Sequence, residues 1–225
     1  MDEVNKTTGK DVAYTSVKAV LGTIPVLGSA AAELFSLIVT PPLEKRRAQW
    51  MNEVAERLKI LEEKKNIDIQ ELIDNEIFID TILQATAVAI KTSEQEKLEA
   101  LKNAVINSVF VEDIDKTKTL MFLRLIDSFT ALHLTILKFF DNPRDWFQKA
   151  NITPPSLAAG SLLSILKTAF PSIVNEPDLL SLVWKDLGDA RLCNSTNLST
   201  MMTGDSLLEG QTSGFGKEFL QYISE

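Results

Sequence analysis

Apolar positions recur at helical spacing along most of the chain. Over residues 43–65, Met51, Val54, Leu58 and Leu61 follow one another at intervals of three and four, which places them on one face of a helix. Further helices are predicted over residues 68–74, 76–92 and 93–110. No convincing alternation typical of a strand interrupts them, so residues 17–115 are expected to form an all-helical bundle.

Two patterns mark the starts of these helices. Asp68 with Glu71, and Ser93 with Glu96, resemble capping boxes, in which two side chains satisfy N–H groups at the helix end. The helix over 76–92 has an apolar stripe. Its spacing predicts an inward face made of Ile79, Ile82, Leu83, Thr86, Ala87 and Ile90.

The most apolar segment lies at residues 17–39, after a polar lead of residues 1–16 that lacks the pattern of a signal peptide. Between Lys18 and Glu33 there is no charge, but this run is shorter than the ~20 residues that a spanning helix needs. Pro25 also interrupts a helix. We predict a buried helical hairpin that turns at residues 24–25 and ends at residues 40–42.

A second interpretation of this segment stays open. The hairpin shields itself in one state and inserts into a membrane, or forms a homo-oligomer, in another, because spacing such as Gly28 to Ala32 suits tight helix contact. In this interpretation the basic run at 45–47 binds lipid headgroups. The alternative is that the run is a solvated helix face, which the neighbouring acidic Glu44 favours. The candidate residues for membrane contact or oligomerisation are Gly22, Pro25, Gly28, Ala31, Ala32, Lys45, Arg46 and Arg47.

The second half, residues 116–225, has a different organisation. Helices are predicted over 116–127, 131–140, 160–170, 177–190 and 213–223, with Thr130 as a cap and Pro143 opening a short helix. The helix over 177–190 is expected to bury Leu179, Leu180, Val183, Trp184 and Leu187. The polar stretch 192–211 is predicted to form a small wing or hairpin.

Two phrases in this half resemble a winged-helix domain. FTALHLTIL at 129–137 looks like its capped first helix, and SGFGKEFL at 213–220 is similar to its closing turn. The resemblance implies that the helix over 177–190 is the one that often reads DNA. Three acids there, Asp178, Asp186 and Asp189, would repel phosphate, so we expect protein docking and no nucleic acid. The candidate residues for a partner or DNA are Lys185, Arg191 and Lys217.

Composition narrows the chemistry. The net charge is −8, opposite to that of most free-standing nucleic-acid binders. With one Cys, Cys193, there is no internal disulfide, and with one His, His133, no two-His mechanism. No nucleotide-binding or hydrolase motif occurs. We therefore expect a non-enzymatic cytoplasmic protein without cofactor or metal, peripheral at the inner membrane if its hairpin inserts. An unrecognised enzyme with a pocket at His133 is the remaining alternative.

Taken over its whole length, the chain resembles bacterial proteins akin to the abortive-infection alpha-like family. The phrases that carry this resemblance are IPVLGSAAAEL at 24–34, PLEKRR at 42–47 and FLRLID at 122–127. The resemblance implies phage defence by cell sacrifice. Together with the acidic winged helix, it predicts a defence or stress protein that acts through a protein partner. The alternative is a winged-helix transcriptional regulator that binds DNA as an oligomer.

Overall fold

The computed structural model describes residues 29–65, 68–110, 116–195 and 197–224. The protein is mainly helical with one small two-stranded sheet, which confirms the predicted fold class. The chain divides into two compact units, residues 1–52 and 53–225. The predicted turn at residues 24–25 lies outside the described residues, as do residues 111–115.

The first described helix, α1, extends over Ser29–Lys65. The prediction that residues 40–42 end a helix is therefore wrong, because α1 continues through Pro41 and Pro42. Each proline removes one N–H from the helical ladder and can kink a helix without ending it. Good helix formers on both sides, among them the alanines at 30–32 and the charged residues at 44–47, favour continuation.

Three short elements follow in the second unit: a 3₁₀ helix at Ile69–Asp74, α2 at Glu76–Ala89 and α3 at Gln95–Ser108. Asp68 caps the 3₁₀ helix by accepting the Gln70 N–H at 2.8 Å. The capping box predicted at Ser93 is wrong, because α3 begins at Gln95 and Glu94 takes the cap position. The Thr92 hydroxyl accepts the Glu94 N–H at 3.1 Å and shapes the turn before the helix.

The inward face of α2 differs from the prediction. Its buried residues are Phe78, Thr81, Ala85, Val88 and Ala89, whereas Ile79 is exposed and Leu83 is 64% exposed. Apolar residues occur on more than one side of this helix, so the spacing in the sequence is compatible with more than one buried face. The packing of α2 against α3 and α4 (Lys116–Ser128) decides between these faces.

The chain then continues through α5 (Ala131–Asp141), α6 (Pro143–Lys149), β1 (Ala159–Ser161) and α7 (Leu162–Ala169). The helix predicted from residue 160 starts later, because residues 159–161 form β1. A 3₁₀ turn at Ile173–Asn175 leads to α8 (Pro177–Asp189). The last elements are β2 (Met201–Thr203), α9 (Gly204–Leu207) and α10 (Gly214–Tyr222).

The small sheet pairs β1 with β2 in antiparallel register, with Gly160 opposite Met202. The polar stretch thus supplies a small β element, but β2 pairs with the distant β1 rather than with a hairpin neighbour. The cause is a close backbone approach, in which the Gly204 N–H donates to the Ala158 carbonyl at 3.1 Å. A Cβ at Gly204 would lie 1.8 Å from the Leu157 carbonyl oxygen, so only glycine fits there.

Aromatic side chains fill the core of the second unit. The ring of Phe139 contacts those of Phe140, Trp146, Phe147 and Phe170. On α8, Leu180, Val183, Trp184 and Leu187 are buried as predicted. Leu179 was also expected inside but is exposed. The core therefore holds α8 by one face and leaves its opposite face in solvent.

Candidate interaction surfaces

The candidate residues for membrane contact lie at the start of the chain. Gly22, Pro25 and Gly28 fall outside the described residues, and Ala31 and Ala32 lie in the first turn of α1. The predicted hairpin and its membrane-inserting alternative both stay predictions.

The basic run is exposed. Lys45, Arg46 and Arg47 follow one another on α1, and acidic Glu44 is exposed beside them. Successive helix positions are ~100° apart around the axis, so three in a row spread over a wide arc instead of forming one flat basic face. This geometry suits a solvated helix surface at least as well as a headgroup anchor.

Within the described part of the chain, no single helix has both the length and the hydropathy to cross a bilayer. Helices α4 and α5 reach that length and composition only as a pair, and they are bent by 118° at the break between them. Their large apolar side chains, such as Phe122, Ile126 and Leu137, are fully buried in the second unit. Core packing therefore accounts for the composition of this pair.

Lys185 forms an ion pair within its own helix, α8. Its ammonium group forms an ion pair with the Asp189 carboxylate, one turn further along α8. The hydrogen bond and the charge of Asp189 raise the pKa of Lys185, and the charge of Asp186 adds to this. The positive charge of Lys185 is thus matched locally, which weakens the case for a phosphate contact at this residue.

Arg191 occupies a strained position directly after α8. Its φ is 61°, in the left-handed region that bulky residues rarely adopt. The Leu192 N–H donates to the Leu187 carbonyl at 3.0 Å, and the Arg191 N–H donates to the Gly188 carbonyl at 2.9 Å. These bonds define a Schellman motif, in which glycine is the usual residue at this position. Here an exposed arginine takes the place of that glycine.

Arg191 lines a groove of about 520 Å³ in the second unit. The groove is formed by α4, the end of α8 and the start of α10. Its lining includes Met121, Arg124, Leu125, Asp189, Arg191 and Phe215. The third candidate, Lys217, is exposed on α10 and is not among the residues that line the groove. Of the three candidates, Arg191 lines this groove, and Lys185 and Lys217 are not among its lining residues.

Arg124 is the residue that sequence reasoning missed. It lies between Met121 and Leu125 on α4, and it faces the same groove as Arg191. The feature of the sequence that could have pointed to Arg124 is a single basic residue between two apolar ones, Leu123 and Leu125. Nothing in the spacing of α4 connects it with a residue 67 positions later.

A second cavity, of about 390 Å³, lies beside α3 and α10. The two charged groups in its lining match each other, because Lys118 pairs with Glu218 at 2.6 Å. The Asn107 amide donates to the carbonyls of Tyr222 and Ser224. The charged side chains that line this cavity therefore bind each other, in contrast to the two arginines of the groove.

His133 acts at a helix start. Its Nδ1 accepts the Thr130 N–H at 3.2 Å and lies 2.9 Å from the Thr130 hydroxyl oxygen. Nε2 therefore carries the proton of the neutral ring and faces Asp186 at 3.4 Å. The ring also stacks on Phe129, with centroids 4.8 Å apart. These contacts give His133 a capping and packing role.

Cys193 is buried, and burial raises the pKa of its thiol to about 12. At neutral pH this group is a protonated thiol, which is a poor nucleophile. The described residues contain no group of three or more His, Cys, Asp or Glu side chains that could hold a metal ion.

Charged and polar side chains also meet inside the second unit, where the end of α1 lies against α3. The Lys102 ammonium group contacts Glu53 at 2.8 Å and Glu99 at 2.6 Å. Arg57 binds both Glu99 and the Asn103 side-chain oxygen. We call these five residues the Lys102 cluster. It is the densest charge network in the described residues, and its cations are all matched by carboxylate or amide oxygens.

Searches with the chain found no matching protein family, no matching curated protein and no matching solved structure.

Proposed function

We propose that this protein is a non-enzymatic bacterial defence or stress protein that acts by binding another protein. The observation that carries the proposal is the solvent face of α8. Leu179 and Leu182 on that face are 45% and 54% exposed, while Lys185 is paired with Asp189. Neighbouring exposed leucines beside matched charges suit burial against a protein.

The order of elements supports a winged-helix-like arrangement. Apart from the short helix α6 between α5 and β1, helix α5, strand β1, helices α7 and α8 and strand β2 follow in the order that such domains use. In that comparison α8 is the third helix. Its acidic residues, Asp178, Asp186 and Asp189, repel phosphate, and its leucines gain little from a DNA groove. Protein docking therefore fits this helix better than DNA reading.

The defence role rests on the resemblance of residues 24–34, 42–47 and 122–127 to the abortive-infection alpha-like proteins. Conditional membrane contact or oligomerisation rests on the uncharged stretch 19–32. Flotation with anionic liposomes tests that stretch, with Gly28→Leu and Ala31→Asp as variants. We expect wild type to float and both variants to float less. Failure of wild type to bind anionic liposomes would remove the membrane part.

The main experiment compares Leu182→Asp with Leu83→Asp, a matched change at another exposed leucine. Cells that express each form at equal level are infected with a panel of phages. Wild type and Leu83→Asp should reduce plaque number, and Leu182→Asp should not, because a carboxylate on α8 prevents docking. A photo-crosslinking residue at position 182 should capture one partner, and the same residue at position 83 should capture none.

Two outcomes would contradict the proposal. The first is equal protection by Leu182→Asp and wild type, and the second is no protection by wild type against any phage. A gel shift at low and high salt separates the regulator alternative, since phosphate contacts weaken steeply with salt. Salt-sensitive DNA binding by wild type would favour a transcriptional regulator.

A further inference from the structure

We propose that the groove lined by Arg124 and Arg191 binds a short acidic peptide segment that carries a large apolar side chain. We call it the Arg124–Arg191 groove. The inference rests on the proposed protein-binding function and names the chemistry of the partner segment. By helical spacing, Leu179, Leu182 and Asp189 lie along one side of α8, and Asp189 lines the groove. The leucine face therefore leads towards the groove.

The floor of the groove is apolar. Met121 is exposed, and Leu125 and Phe215 are half-buried. The ring of Phe215 is supported from beneath by Phe122, at a centroid distance of 5.2 Å. An apolar surface that is held firmly by the core but open to solvent favours a ligand with its own apolar side chain.

The two arginines provide the charge. Several other bases on the surface of this unit form ion pairs, such as Lys116 with Asp80, Lys118 with Glu218 and Lys149 with Asp145, whereas the exposed Lys138 and Lys217 form none within the described residues. Arg124 and Arg191 differ from those two lysines in that both line one apolar groove. Within the described residues, the guanidinium groups of Arg124 and Arg191 have no carboxylate within ion-pair distance. Guanidinium groups bind carboxylates with two parallel hydrogen bonds, so both are available for acidic side chains of a ligand.

The backbone at Arg191 adds an independent argument. A side chain in the left-handed region costs free energy that glycine would avoid. The Ser213 hydroxyl donates to the Arg191 carbonyl at 2.6 Å and helps to fix this conformation. Folding alone would favour glycine here, so a function for the guanidinium group accounts for the arginine.

A peptide fits the groove better than a nucleic acid. Asp189 lines the groove together with Arg124 and Arg191. Lys185 balances the charge of Asp189, so this pair adds no net positive charge that would attract phosphate. A phosphate backbone needs a row of cations, whereas the lining of the groove contains two arginines and an aspartate. A volume of about 520 Å³ accommodates a few side chains.

The test uses the full chain and fluorescence polarisation. The probe is a library of short fluorescent peptides, each with several Asp or Glu residues around one Phe or Leu. A matched library replaces the acids by Asn and Gln, and a DNA duplex serves as competitor. The variants are Arg191→Gly and Arg124→Gln. Lys138→Gln is the control, because Lys138 is exposed on α5 outside the groove.

We expect acidic peptides to bind wild type and Lys138→Gln equally. Binding should weaken roughly tenfold in Arg191→Gly and in Arg124→Gln, through loss of a charge-assisted contact. Arg191→Gly should melt at or above the wild-type temperature, since glycine relieves the left-handed conformation. Loss of binding without loss of stability is a result that a structural role for Arg191 does not produce.

Three results would overturn the assignment of the groove: no acidic peptide binds, both arginine variants bind as wild type, or the duplex displaces the peptides. Each leaves the broader proposal separately testable. Crosslinking at position 182 with failure of every peptide would mean that a partner docks on α8 but not in the Arg124–Arg191 groove.

Discussion

Two lysines of the second unit meet carboxylates in opposite surroundings. The side chain of Lys102 is 5% exposed and contacts Glu53 and Glu99, whereas that of Lys185 is 68% exposed and contacts Asp189 alone. A buried ammonium group loses most of its hydration and needs strong partners in return. An exposed one keeps its water, and a single carboxylate changes its energy little.

The two sets of ion pairs have different roles, one in helix packing and one on the proposed docking face. The Lys102 cluster joins the end of α1 to α3, and Asn103 extends it by donating to the Ile223 carbonyl at 3.0 Å. It therefore fixes how helices pack. The Lys185–Asp189 pair holds no helices together, and its effect is to match charges on the proposed docking face. The predictions below test this contrast.

The largest expected effect is the removal of both carboxylates from Lys102. Glu53→Gln with Glu99→Gln leaves a buried ammonium group without a counter-charge and should lower the free energy of unfolding by about 3 kcal/mol. Urea denaturation at neutral pH measures it. Glu63→Gln is the control, because Glu63 forms an exposed pair with Lys59. A double variant within about 1 kcal/mol of wild type would show that water reaches Lys102.

Asn103→Ala tests a neutral group in the same cluster. The change leaves the Ile223 carbonyl and one Arg57 N–H without their partner, and it should cost about 2 kcal/mol. Asn52→Ala, at an exposed position of α1, should have almost no effect. Equal unfolding midpoints for the two variants would mean that the cluster depends on charge alone.

Local signals in the sequence predicted several helix starts of the second half. Thr130 precedes α5 and Pro143 opens α6 as expected, and Ser213 caps α10 by accepting the Gly216 N–H at 2.9 Å. A cap depends on residues three or four apart, so the sequence alone contains the information.

Buried faces were predicted less well. Leu83 and Leu179 both fit an inward stripe, and both are exposed. On α2 the choice of face follows from packing against α3 and α4, which periodicity does not specify. The Pro41–Pro42 pair also shows that a local signal can be overridden, because two helix-breaking residues did not end α1.

The candidate groove was only half predictable. Arg191 was singled out for its charge, but its left-handed backbone was unexpected, since glycine normally marks that position. Arg124 was missed because the groove unites three segments that are distant in sequence. The Lys102 cluster is equally non-local, because Lys102 follows Glu53 by 49 positions.

Acid should separate the buried cluster from the exposed pair. Burial by itself raises the pKa of Glu99, but hydrogen bonds and charges from Lys102 and Arg57 outweigh it and hold the pKa below its ordinary value of 4.5. Glu99 therefore stabilises the fold above that pH, and this contribution is lost as the pH falls through the lowered pKa.

Denaturation at neutral pH and below pH 4.5 should accordingly show a smaller acid loss for Glu99→Gln than for wild type. Asp189→Asn is the control, because its pair is exposed and its acid loss should match wild type. Identical acid profiles for Glu99→Gln and wild type would mean that Glu99 has the same pKa in the folded and unfolded chain.

The smallest effect on stability should come from Lys185→Gln. An exposed pair one turn apart on a helix contributes little to stability because both groups keep their water, so urea denaturation should barely distinguish the variant from wild type. Binding should respond more, because the change leaves Asp189 uncompensated on the rim of the Arg124–Arg191 groove, where it repels an acidic peptide. Polarisation at low salt should show weaker binding, and high salt should reduce the difference. If Lys185→Gln lowered stability as much as Asn103→Ala, exposure would not be what separates the two lysines.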